Sequence, residues 1–168
     1  LIFSSYPKIS NLGFYNNYEF KIKNSNTYGK KSEIFKNKES SYVSGLLQLN
    51  SSLPLIRKNK NFQEILKPKL SFKMAPAHTK DYKKDETNID ITNLFSLNRI
   101  NKNDTIEGGL SLAYGTDYLV LSQKDNRELL SFKAANNLRL NDNSDLTHSN
   151  QIGQKTSNFF TETLFNPN

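Results

Sequence analysis

The sequence predicts an all-β protein, an antiparallel meander of about seven long strands forming part of a transmembrane β-barrel, incomplete and open. Three observations carry that expectation. Apolar and polar residues alternate with period two through runs such as Ile106–Val120, well beyond the ~5–6 residues of an ordinary soluble strand. The connections between such runs are alternately short and long. Finally, only 35% of the 168 residues are hydrophobic, yet 11 are Phe and 8 are Tyr. A disordered chain is poor in aromatics. A sheet with one apolar and one polar face needs an apolar residue only at every second position.

The strands follow in order. A weak one lies near Ile2 to Ile9. In the next, Phe14, Tyr18, Phe20 and Ile22 alternate with Asn17, Glu19, Lys21 and Lys23. In a third, Val43, Leu47, Leu49, Leu53 and Leu55 oppose Ser44, Gln48, Asn50 and Ser52. From Phe62 to Met74 the apolar set includes Phe62, Leu66, Leu70 and Phe72, and the other face takes Lys67, Lys69, Ser71 and Lys73. Ile106 to Val120 sets Leu110, Leu112, Tyr114 and Tyr118 against Ser111, Ala113, Gly115 and Asp117, with Leu119 an exception. Leu130, Phe132, Ala134, Leu138 and Leu140 oppose Ser131, Lys133, Asn137 and Arg139, and a last weak strand runs from Phe159 to Phe165. Membrane strands need ~9–11 residues, which the central five supply.

The short connections are Ser10–Gly13, Arg57–Asn61 and Gln123–Glu128; the long ones are Asn24–Ser40, Ala75–Thr105 and Asn141–Ser157. Outer-membrane barrels sort their loops in this way, short on the periplasmic side and long outside. A loop as long as Ala75–Thr105 is either functional or folded on itself. We expect Leu94, Phe95 and Ile100 to anchor it at the barrel rim, with Asn93 to Arg99 over the extracellular mouth and Arg99 bonded to a carboxylate or to carbonyls.

The net charge is +7, from 23 Lys and Arg against 16 Asp and Glu. The basic residues are dispersed, as on a solvated face, and form no block suited to nucleic acid. The chain has no Cys, so it holds neither disulfides nor thiolate metal sites. No catalytic or cofactor-binding set emerges. His78 and His148 lie in different loops. Asp81, Asp85, Glu86, Asp90 and Asp104 lack the spacing of a calcium loop, and Glu107-Gly108-Gly109 opens a strand where a phosphate loop would open a helix. No enzyme activity, metal or cofactor is expected.

Several phrases occur in a recognisable order. Leu66-Lys67-Pro68-Lys69-Leu70 is similar to a Leu-x-Pro-(Arg/Lys) strand phrase of the LptD (OstA/Imp) family of lipopolysaccharide-assembly barrels. Asn93 to Arg99 contains that family's Leu-Phe-x-x-Asn-Arg phrase, in Leu94, Phe95, Asn98 and Arg99. Asp104 to Gly109, followed by Tyr114-Gly115, resembles its continuation, with Thr105 standing where Arg is common. Leu138-Arg139-Leu140 and Ile152-Gly153 resemble a later strand and loop.

The resemblance implies an internal part of the C-terminal barrel, located in the cell outer membrane, that assembles lipopolysaccharide at the cell surface. It implies lipopolysaccharide as substrate, an LptE-like plug lipoprotein inside the barrel, and the Lpt periplasmic bridge reached through a jellyroll domain absent from residues 1–168. The lumen-facing basic candidates are Lys67, Lys69, Lys73, Lys133 and Arg139, suited to a phosphorylated glycolipid or to an acidic face of a plug. The loop motif comprises Leu94, Phe95, Asn98, Arg99 and Asp104. The competing expectations are another outer-membrane barrel (a porin or a TonB-dependent receptor) and a secreted soluble β-sandwich binding module.

Overall fold

A computed structural model of the chain describes residues 1–28, 39–76, 81–84, 89–102, 105–147 and 150–166. It contains strands β1 (Ile2–Ser4), β2 (Lys8–Ile9), β3 (Tyr15–Tyr28), β4 (Glu39–Ser52), β5 (Leu55–Lys58), β6 (Phe62–Ala75), β7 (Gly109–Ser122), β8 (Glu128–Arg139) and β9 (Phe160–Phe165). All belong to one antiparallel sheet in the order β1-β3-β4-β6-β7-β8-β9, with β2 pairing β3 and β5 pairing β6. The expected meander is therefore present, its seven staves made of nine segments. It is open, with β1–β2 at one edge and β9 at the other. No helix is long and apolar enough to cross a membrane, which says nothing about crossing by strands.

The two divided staves are divided by proline. Between Ser4↔Glu19 and Lys8↔Asn16 the first stave has one residue more than its partner, and Pro7 lies in that bulge. Between β4 and β5 the register is unbroken, from Ser52↔Lys69 to Leu55↔Leu66. Only hydrogen bonding fails there. The amide of Leu53 donates to the carbonyl of Pro68 at 3.0 Å, and Pro68 has no N–H to return the bond.

β3, β4, β6 and β7 each have 14 residues, longer than a tilted membrane strand requires. β3 and β6 outrun the expected Phe14–Lys23 and Phe62–Met74 because cross-strand pairing continues toward the long connections. The run expected from Ile106 starts later, at Gly109. There φ is +94°, a conformation glycine adopts without strain, and the chain turns out of the sheet before it. Ile106 and Glu107 thus belong to the loop, both buried.

The pleat gives the sheet two unlike faces. One presents Phe20, Ile22, Leu49, Leu70, Tyr114 and Phe132, all substantially exposed. The other, called the inner face below, carries the row Glu19, Gln48, Lys73, Ser111 and Arg139 in register across five strands. No second sheet covers the apolar face among the described residues, as a soluble sandwich would require. The hydrophobic cluster lies on the polar side. Ile89, Ile91, Leu94 and Ile100 of the β6–β7 loop join Leu146 and Ile152 of the β8–β9 loop over Ala113 and Ala135. Those alanines are small enough to let loop backbone approach the strands.

Candidate functional site: the inner face and its folded loop

The β6–β7 loop enters the interior of the sheet instead of covering the mouth. Asp90 starts its compact part: its carboxylate accepts from the amides of Thr92 and Asn93 and from the Thr92 hydroxyl. These bonds favour the charged form, and the Thr92 hydroxyl chiefly holds the Asp90 carboxyl below its usual value. The turn places Leu94 in the core, with no exposed surface, and Phe95 half-buried beside it.

Backbone carbonyls of the loop then meet inward side chains of the strands. Gln48 Nε2 donates to Phe95 O at 2.8 Å, Lys73 Nζ to Ser96 O at 2.5 Å, and Lys23 Nζ to Thr105 O at 3.4 Å. Three staves are thereby tied to one loop. Strand amides are spent within the sheet, so only side chains remain to satisfy loop carbonyls taken out of water.

Arg99 is the centre of the cluster. Its Nε donates to Glu107 Oε2 at 2.7 Å, and its Nη2 donates to Glu107 Oε1 and to Ser111 Oγ, the latter at 3.0 Å. Its Nη1 donates to Asn137 Oδ1 at 2.8 Å. Arg139 approaches the same carboxylate, Nη1 to Glu107 Oε1 at 2.5 Å, and donates through Nη2 to Gly108 O. One carboxylate therefore binds two guanidiniums, with Lys73 nearby. Burial alone would raise the Glu107 pKa, but Arg99 first, then Lys73 and Arg139, hold it well below the usual carboxylate range. Glu107 stays charged in the interior because its partners are fixed around it.

The register puts Lys67, Lys69, Lys73, Lys133 and Arg139 on one face of the sheet, the face on which the loop packs, and their surroundings differ. Lys73 and Arg139 are buried under the loop and bonded to it. Lys69 pairs with Asp117 at 2.7 Å and Lys133 with Glu162 at 2.6 Å. Lys67 is exposed and makes no ion pair among the described residues. The sequence could not separate these groups, since identical alternation places all five on one face. Glu107 and Gln48 were missed as site residues. The alternation from Ile106 puts Glu107 in a strand, and nothing in its local spacing reveals Arg99 of its own loop and Arg139 of β8 meeting on it. Asn98 donates to Lys102 O at 3.4 Å, a bond within the loop. Asp104, His78 and His148 lie outside the described residues, and no group of metal-binding side chains forms among those described.

The inner face is not uniformly polar. Toward the short connections, Ile56, Ile65 and Leu119 stand in register, followed by Ser131 and Leu164.

A sequence model of the LptD family, described as LPS transport system D, matches residues 5–168. The chain belongs to the LptD family. Its membership accounts for the ordered phrases around Pro68, Arg99 and Tyr114, and places the protein in lipopolysaccharide transport and assembly at the outer membrane. LptD is a transport and assembly protein rather than an enzyme, and it works with lipopolysaccharide and the Lpt machinery. No curated protein and no solved structure matches the chain. Within this LptD sheet the Leu-Phe-x-x-Asn-Arg phrase has a physical meaning. Leu94 fills the loop core, Arg99 binds Glu107 beneath it, and Phe95 is left at the margin of the loop.

Proposed function

We propose that residues 1–168 form a section of the wall of an outer-membrane barrel whose inner face guides lipopolysaccharide toward the cell surface. The observation that carries this reading is the segregation of the two faces. The outer one is apolar and exposed, as hydrocarbon contact demands. On the inner one Lys21, Lys23, Lys67, Lys69, Lys73, Lys133 and Arg139 outnumber the carboxylates, so a phosphorylated glycolipid meets a favourable potential. The folded loop narrows the upper part of the interior, on the side of the long connections. An LptE-like plug lipoprotein occupies part of the remaining space, and the Lpt periplasmic bridge delivers lipid through a jellyroll domain outside these residues.

Photo-crosslinking in cells tests the reading. A photoreactive residue placed at position 21 or 131 of the full-length protein faces inward and should form adducts with newly made lipopolysaccharide during transport. Absence of adducts at both positions, with the protein folded in the membrane, would overturn it.

A further inference from the structure

The folded loop covers the part of the inner face near the long connections. Its core rests on Ala113 and Ala135 of β7 and β8 and its carbonyls reach Lys23, Gln48 and Lys73, while the stretch of β3, β4 and β6 nearer the short connections, beyond Phe95, borders a cavity. There a cavity of about 460 Å³ lies among Asn17, Asn50, Ser52, Lys67, Lys69 and the ring of Phe95. That volume is in the range of small-ligand sites, ~300–1,000 Å³.

Its chemistry is mixed in a particular way. Phe95 supplies an aromatic wall, with Lys69 Nζ lying 4.4 Å from the ring centroid. Lys69 is already engaged by Asp117, and Asn50 bonds Glu19 and Gln48. Lys67 is the cation left exposed, and Asn17 and Ser52 are only half-buried. A sugar ring offers C–H faces to an aromatic wall and hydroxyl edges to amides and a serine. A phosphate on such a ring takes a lysine as its counter-charge. Pro7, Tyr15 and Pro54 add apolar wall that suits the C–H faces of a sugar, while an acyl chain there would leave Lys67 and Asn17 without a hydrogen-bond partner.

We propose that this cavity is a subsite for a phosphorylated sugar of the transported lipopolysaccharide. Phe95 stacks on the ring face, Asn17 and Ser52 bond its hydroxyls, and Lys67 takes the phosphate. The proposal rests on the reading that lipopolysaccharide moves along the inner face. It assigns Phe95 a role in contacting substrate, apart from the structural roles of Leu94 and Arg99.

The test uses the full-length protein in detergent with its physiological partners, phosphorylated lipopolysaccharide, and the same lipopolysaccharide after enzymatic removal of phosphate. Lys67→Glu and the milder Lys67→Gln should weaken binding of the phosphorylated form, the reversal by about tenfold or more, the scale of one charged hydrogen bond. Binding of the dephosphorylated form should be equal in variant and wild type, and Lys67→Arg should retain affinity for both. A photoreactive residue at position 95 should label the saccharide. Unchanged affinity in both Lys67→Glu and Lys67→Gln, or adducts at 95 mapping to acyl chains, would overturn the subsite. If adducts still form at positions 21 and 131, transport along the inner face stands and only the subsite is lost. If none form at any inward position, both fall.

Discussion

Arg99 and Glu107 lie eight residues apart in one loop and form a two-pronged ion pair that is almost wholly buried, against the inward face of strands β7 and β8. Glu107 is also bound by Arg139 of β8, so the pair that closes the loop on itself also fastens it to the sheet. A buried pair of this kind is weak evidence of net stabilisation, since desolvating both charges costs several kcal/mol. Its consequence is geometric. Arg99 without Glu107 is a buried, uncompensated charge, and Glu107 without Arg99 loses its two-pronged partner and keeps Arg139, so the loop has one favourable seat.

Arg99→Ala should therefore destabilise by ~3–5 kcal/mol, the usual cost of removing one member of a buried pair. The loop from 89 to 108 should become cleavable by trypsin in the otherwise folded protein. Arg99→Lys should not restore resistance, because an ammonium cannot satisfy Glu107, Ser111 and Asn137 together. Wild-type resistance in Arg99→Ala would remove the anchoring role.

The pH response follows from Glu107. Its carboxyl is depressed on folding, so below its ordinary value of 4.5 the unfolded chain binds the proton more readily. The stabilisation is complete above that value and is lost as pH falls toward the folded one. The difference in melting temperature between wild type and Glu107→Gln should thus narrow as the pH falls from about 5 toward about 3. A difference that stays constant over that range would contradict the assignment.

Leu94 and Phe95 should separate in a stability assay, although they are neighbours in one motif. Leu94→Ala leaves a hole in the loop core and should cost ~2–5 kcal/mol. Phe95 is half-exposed beside a cavity, and Phe95→Ala should cost clearly less. Thermal unfolding of both variants decides, and equal losses would place Phe95 in the core as well.

Gly115 is held to glycine by its neighbour strand. A Cβ there would stand 2.4 Å from the carbonyl oxygen of Ala134 and 2.6 Å from the Cβ of Ala135. Gly115→Ala must spread β7 and β8, an overpacking of ~1–3 kcal/mol. It should lower the denaturation temperature, and a neutral effect would show that the two strands separate freely.

The faces are distinguishable by arginine. Leu70→Arg puts a charge on the apolar side of a central strand and should cost ~2–4 kcal/mol if that site lies near the membrane midplane. Ser52→Arg, on the polar side, should cost little. Folding into lipid vesicles measures both, and equal penalties would count against the assignment of the faces.

Much of the fold was legible because period two is a local property. Each residue from Phe62 to Met74 or from Leu110 to Val120 declares its face by what its neighbours are, and a pleated strand has no other way to segregate them. The alternation of short and long connections then ordered the strands into a meander. The divisions at Pro7 and opposite Pro68 were less visible, since a missing N–H matters only once the partner strand is known. The start of β7 was misplaced for a related reason. Ile106 and Gly108 continue the alternation, but Gly109 turns the chain and Glu107 is drawn to Arg99 and Arg139.

The sequence by itself determined the class, the faces and the family phrases, all of which depend on spacing along the chain. Only the tertiary structure decided that the β6–β7 loop folds inward, that Lys73 and Arg139 are covered while Lys67 stays open, and that Glu107 joins two arginines from different elements. Those facts depend on which loop carbonyls need donors and which strand side chains can reach them. Such matching is between residues 23 to 82 positions apart, as in Lys73 to Ser96 and Lys23 to Thr105, and no local pattern records it.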